Sequence, residues 1–209
     1  TEGIATIPAF SLGKPAIMGS LSFYKKRFGF DQYLAYSIDG KPWFIESYLN
    51  YKVLDGEKFD FAASTMWGAS YSYQEVFSDG GQQVETDYQR YVFLIFSTIY
   101  ELTEKTSVGV SSYHGYGFPE GSIRWATFVS VKGSLSKWAM GRSLYARFYP
   151  EVLYINLDWG TDAFFAAGKF GVGIHKVPLF LSTQGSQYLT GNLTPNPGFR
   201  WNIGVSYEF

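Results

Sequence analysis

The sequence predicts an all-β fold: one closed, antiparallel, membrane-spanning β-barrel over residues 1–209, with ten strands or, as the alternative, twelve. Three observations predict it. Apolar and polar residues alternate with period two along most of the 209-residue chain, as strands with two unlike faces require. Aromatic residues make up 20% and charged residues only 17%, against roughly 25% charged in soluble domains. No stretch approaches the ~20 continuous apolar residues of a spanning helix, so the apolar character sits on alternate positions, as in strands that face lipid on one side.

Composition narrows the partners. The formal net charge is -1, from 17 Lys+Arg against 18 Asp+Glu, so no basic footprint points to nucleic acid. Cysteine is absent, which excludes disulfides and thiolate metal sites. The two histidines, His114 and His175, stand apart, and no carboxylate cluster has ligand spacing, so neither a metal nor a cofactor is expected. A start at Thr1 rather than Met reads as that of a processed chain.

The strands follow in order. Residues 16–38 read as one long strand running through Lys25, Lys26 and Arg27. Trp43, Ile45, Leu49, Tyr51 and Val53 then alternate with Phe44, Glu46, Tyr48, Asn50 and Lys52. Phe59, Phe61, Ala63, Trp67, Ala69, Tyr71 and Tyr73 alternate with Asp60 and small residues, and Ile123, Trp125, Val129 and Val131 with Arg124, Ala126, Ser130 and Lys132. Leu153, Ile155, Leu157 and Trp159 alternate with Tyr154, Asn156 and Asp158. Residues 163–184 read as continuous through the bend at His175, Lys176, Val177 and Pro178, with Phe164, Ala166, Phe170 and Val172 opposite Lys169. In each segment one set points to one side of the sheet and the other set to the opposite side.

Connections set the topology. Residues 54–58, 101–105, 132–136 and 159–162 carry tight-turn signals, while 74–86, 115–122 and 183–197 are long polar segments. A direct reading gives twelve strands. Joining 16–38 and 163–184 into single strands gives ten, and places all three long segments at one end of the barrel with both chain ends at the other. Strands of that length would project beyond the bilayer, which ~9–11 tilted residues cross.

The C-terminal strand carries the most specific signal. Phe199, Trp201, Ile203, Val205, Tyr207 and Phe209 share one face, and Arg200, Asn202, Gly204, Ser206 and Glu208 the other. This end resembles the terminal strand of bacterial outer-membrane β-barrel proteins, with a terminal aromatic, a second aromatic two residues earlier and alternating apolar residues behind it. The resemblance covers one strand. It implies an outer-membrane location, surroundings of outer-membrane lipid and lipopolysaccharide, and insertion by the barrel-assembly machinery, which reads Trp201, Ile203, Val205, Tyr207 and Phe209.

Function is sought in the polar phase. Glu46, Lys52, Asp60, Arg124, Lys132, Asn156, Asp158, Lys169, Arg200, Asn202 and Glu208 are expected to face the lumen. Charges of both signs there either pair into a network that fills the barrel or line a narrow path for small polar solutes, with Arg124, Lys169, Arg200, Glu46 and Asp158 as its expected lining. Eight strands just enclose their own side chains and wide channels need about sixteen, so ten or twelve admit either outcome. Two other classes stand beside the solute path. One is a plugged barrel that serves as a scaffold for an outer-membrane partner. The other is a lipid hydrolase using Ser112 and His114, which share a strand face as a nucleophile and base must, with Glu85 or Glu120 to orient the imidazole; the alternative for His114 is a rim residue among Tyr113 and Tyr116.

Overall fold

In the computed structural model the described residues are 2–78, 81–118, 123–175 and 177–207, with the side chains of 74–78, 81–85 and 137 excepted. They form eleven strands: β1 (Ala16–Lys25), β2 (Phe28–Ser37), β3 (Pro42–Asp55), β4 (Phe59–Ser78), β5 (Gly81–Thr103), β6 (Thr106–Gly117), β7 (Trp125–Ala139), β8 (Leu144–Leu157), β9 (Thr161–Ile174), β10 (Leu179–Gly191) and β11 (Phe199–Tyr207). Each strand pairs with the next in a single sheet of order β1 to β11, and every pairing is antiparallel.

The described residues hold eleven strands rather than ten, one short of the alternative of twelve, and no ladder among them joins β1 to β11 to close the sheet. The two joined strands are in fact hairpins. Residues 16–38 divide at Lys26 and Arg27, where Lys26 takes a φ of 55° and Lys25 pairs with Phe28. Three consecutive basic residues close a two-residue turn at a strand end, where their charges reach water. Residues 163–184 divide between Ile174 and Leu179, at the bend that Pro178 marks; Lys176 lies outside the described residues. The turn expected at 132–136 is absent, because β7 runs on to Ala139 and absorbs the extra residues as a register shift between Leu135 and Trp138.

The connections alternate between two rims: the turn rim follows β1, β3, β5, β7 and β9, and the loop rim follows β2, β4, β6, β8 and β10. All three segments read as long loops thus fall at one end. The first is mostly ladder, since β4 and β5 pair from Phe59 with Tyr100 up to Ser78 with Gly81. At ~3.4 Å per residue, the 23 residues of β5 reach roughly 75 Å, well beyond an apolar band of ~25 Å.

The sheet curls around residues 2–15, which fold inward as a small hairpin. Gly3 donates its amide to the Lys14 carbonyl at 2.7 Å, and Leu12 and Ala5 donate to Gly3 and Phe10 at 2.8 and 2.9 Å. Ile4 and Ala9 are buried. Ala9 packs into a core of Met66, Phe93, Phe128, Ile155, Leu157 and Phe165 from β4 to β9, and Phe10 meets the Phe128 ring edge-on at 5.8 Å. A second group joins Trp43, Phe44 and Ala35 with Ala5 and Leu12 of the hairpin. Trp43, expected on the outward face, turns inward at the register shift between Ala35 and Tyr36.

The outer surface is the reverse of a soluble protein's. Outward-facing Leu21, Leu49, Trp67, Leu94, Val131, Val152 and Phe164 are exposed on strand after strand around the sheet. Aromatic residues crowd toward both rims, with Phe28, Phe59 and Tyr100 at one and Trp125 and Trp159 at the other, all exposed.

Candidate functional site in the lumen

Inward-facing side chains divide the lumen into two halves. Toward the loop rim it is apolar, closed by the core described above and by the hairpin. Beside the hairpin, between the edges of β1 and β11 and the middle of β7 to β10, lies a cavity of about 570 Å³. Ile4, Thr6 and Pro8 of the hairpin form one wall, and Lys132, Tyr149, Glu151, Lys169, Gln184 and Asn202 contribute polar groups to the others. Register explains the grouping: Lys132 pairs with Glu151, Tyr149 with Lys169, Lys169 with Gln184 and Gln184 with Asn202, so one inward phase runs across β7 to β11 at nearly one level.

An ion pair lies in this wall, and two buried carboxylates beyond it are satisfied by neutral donors. The Lys132 ammonium lies 3.3 Å from Glu151, whose other oxygen accepts a 2.5 Å bond from the Ser130 hydroxyl. Glu46, buried in β3, accepts bonds from Tyr48 at 2.9 Å, Tyr91 at 3.1 Å and Thr6 of the hairpin at 3.3 Å. Asp31 does the same for Tyr24 at 2.7 Å and Asn50 at 2.6 Å. A carboxylate removed from water is tolerable only with such donors around it.

The expected lumen residues therefore separate. Lys132, Lys169 and Asn202 line the cavity. Glu46 lies under the hairpin. Arg200 is taken up by that hairpin too, 3.9 Å from Glu2 and 3.5 Å from the Ala9 carbonyl. Lys52 and Asp60 pair at 3.6 Å at the turn rim, where Lys52 also meets Asp55 at 2.9 Å. Arg124 and Asp158 are not in the lumen. Arg124 precedes β7 and is exposed, while Asp158 sits in the β8–β9 turn and accepts the amides of Arg124 and Trp125 at 2.9 and 2.7 Å.

Asn156 is a correction of phase. It pairs with Thr127 on the outward face, while Leu153, Ile155 and Leu157, expected outside, are the buried ones. Alternation alone fixes two faces without naming the inner one, and β8 turns its apolar face inward because the hairpin gives that half of the lumen an apolar core. The same misphasing hid Glu151, which shares a face with Leu153. The hairpin carried no strand or loop signal beyond Pro8, Gly13 and Pro15, and escaped the sequence reading.

Ser112 and His114 face outward. Ser112 stands opposite Phe96 and Val129, His114 opposite Leu94 and Thr127. Among the described residues no carboxylate bonds His114; the Glu85 side chain and Glu120 lie outside them. Nor do the described residues include a group of three metal-binding side chains. Of the terminal-strand signal, Trp201, Ile203, Val205 and Tyr207 all point outward and are exposed; Phe209 and Glu208 lie outside the described residues.

No protein-family model matches the chain, and no curated protein matches it. Among solved structures it is similar to OmpT, an outer membrane protein of Vibrio cholerae in its trimer form, at 11% sequence identity and a TM-score of 0.49. The match covers 91% of this chain but 64% of that one.

Proposed function

We propose that this chain is a transmembrane barrel of a bacterial outer membrane and that its polar cavity is part of a narrow path for small polar solutes. The observation that carries the membrane assignment is the continuous apolar outer face. Contiguous exposed apolar surface beyond a few hundred Å² is rare on soluble monomers, and here it encircles a sheet whose polar groups are turned inward. The terminal-strand resemblance supports the same location.

The cavity supports the solute path. It offers hydroxyl, amide, ammonium and carboxylate groups at one level, a mixed lining that can replace the hydration of a small polar molecule. The hairpin stands across that path, so passage requires its displacement toward the loop rim.

Single-channel conductance in a planar bilayer tests this reading. The whole protein should give brief, infrequent openings, and Ile4→Asp with Ala9→Asp should lengthen them by making the hairpin's burial unfavourable. Lys132→Glu with Lys169→Glu should then shift selectivity toward cations. Silence from all three proteins, with insertion verified by protease protection, would overturn the path. It would favour the second reading, a plugged scaffold barrel, which the hairpin-filled half of the lumen supports. The hydrolase reading finds no such support, since among the described residues no carboxylate bonds His114, which stands opposite Leu94 and Thr127.

A further inference from the structure

β1 and β11 end the meander, and among the described residues no ladder joins them. Yet they border the same space: Met18 and Ser20 of β1 and Asn202, Gly204 and Ser206 of β11 line one cavity. Their faces also agree. Ile17, Leu21 and Phe23 point outward from β1, and Ile203 and Val205 from β11, all exposed. In an unbroken antiparallel meander of eleven strands, the first and last run in the same direction. A direct join would be parallel, unlike every other pair. One intervening strand would be antiparallel to both. Along the open side of each edge strand, about every second residue presents an amide and a carbonyl, and in hydrocarbon such groups need a partner.

Residues 2 and 3 show where that partner enters. At the loop rim Glu2 donates its amide to the Trp201 carbonyl of β11 at 3.1 Å. Gly3 lies against Ala16, the first residue of β1: a Cβ on Gly3 would stand 2.9 Å from the Ala16 Cβ. The chain thus stands between the two edges before it turns inward as the hairpin.

We propose that the seam is filled by one β-strand, antiparallel to β1 and β11, formed by polypeptide of this same protein leading into Glu2, so that the barrel closes with twelve strands. The placement of Glu2 and Gly3 makes this assignment, not the residue at which numbering starts. The strand spans about ten residues, with apolar side chains outward beside Leu21 and Ile203 and small or polar ones inward beside Ser20 and Asn202. The proposal rests on the membrane reading, because only hydrocarbon makes an open seam untenable.

The test uses the natural protein in its own outer membrane, carrying Ser20→Cys with Gly204→Cys. An intervening strand holds these positions about 9.6 Å apart, twice the interstrand spacing, beyond the ~7 Å limit for a disulfide. Oxidation should yield at least tenfold less disulfide than in a control pair, Ser182→Cys with Gly204→Cys, whose positions are directly opposed. A photoreactive residue in place of Met18 should cross-link to peptide contiguous with Glu2, identified by mass spectrometry. Ready disulfide formation between positions 20 and 204 would overturn the proposal, as would a cross-link to another polypeptide or to lipid, or a natural chain with nothing ahead of Thr1. Heat-modifiable migration on gels shows that the variants fold. Recovery of the protein in a soluble fraction would instead sink the membrane reading, an outcome separate from any cross-linking result.

Discussion

At the residue scale the clearest electrostatic feature is Asp39, in the turn between β2 and β3. The Ser37 hydroxyl donates to its carboxylate, and the Lys14 ammonium lies 3.0 Å away; these two partners, the hydroxyl first, hold its pKa down at about 2. The folded value is below the unfolded ~3.9. The contact therefore stabilises fully above pH about 4 and is lost as pH falls to about 2. Asp39→Asn removes this dependence. The difference in unfolding temperature between the protein and the variant should be constant above pH 5 and shrink between pH 4 and 2; a difference independent of pH would contradict the assignment. The contact also pins the hairpin's end to the loop rim, since Lys14 immediately precedes Pro15 and β1.

At the scale of elements, the β1–β2 turn shows how a local conformation splits what alternation joined. Lys26 is held in the left-handed region at φ 55°, which costs a non-glycine residue roughly 1–2 kcal/mol. Lys26→Gly should therefore raise stability by up to about 1 kcal/mol after the loss to unfolded-chain entropy, and Lys26→Val should lower it, both read from denaturant midpoints. Equal effects of Gly and Val would show that the turn is not strained. β7 illustrates the opposite case. Gly133, Ser134 and Ser136 look like a turn in sequence, yet Lys132 pairs with Glu151 and Ala139 with Tyr145, and the irregularity is taken up inside the ladder.

At the scale of the whole molecule, the outward apolar band decides the environment. Leu94 lies in the body of β5, paired with Thr65 and His114, while Tyr100 lies near the turn rim opposite Phe59. In a bilayer, Leu94→Arg should cost about 2–4 kcal/mol and Tyr100→Arg about 0–1, following depth. Unfolding measured in lipid vesicles gives both values. Equal and small costs would place this face in water and remove the membrane reading. The two halves of the lumen belong to this scale as well. The hairpin connects β3 through Glu46, β7 through Phe128 and β11 through Arg200, so it ties distant strands that the sheet alone leaves unlinked.

Period-two alternation settled the strand class and the two faces of each strand, because a strand cannot put neighbouring side chains on the same side; the contrast of apolar with polar residues between those faces then pointed to the outward sides of β4, β9 and β11. The grouping of the long connections at one rim was legible too, from turn chemistry, but the ten-strand parity that put both chain ends at the other rim was not: Glu2 lies at the loop rim beside Trp201. Alternation could not say which face of β8 is the inner one, since Leu153, Ile155 and Leu157 are as fit for a core as for lipid. It likewise misplaced Asn156, Arg124 and Asp158 as lumen residues. Those choices were made by contacts between residues far apart in the chain: Ala9 among Phe93, Phe128 and Phe165, and Lys132 beside Glu151. The division of the interior into apolar core and polar cavity came from packing across the sheet, because a short inward hairpin with no periodic signature fills one part and leaves the other open.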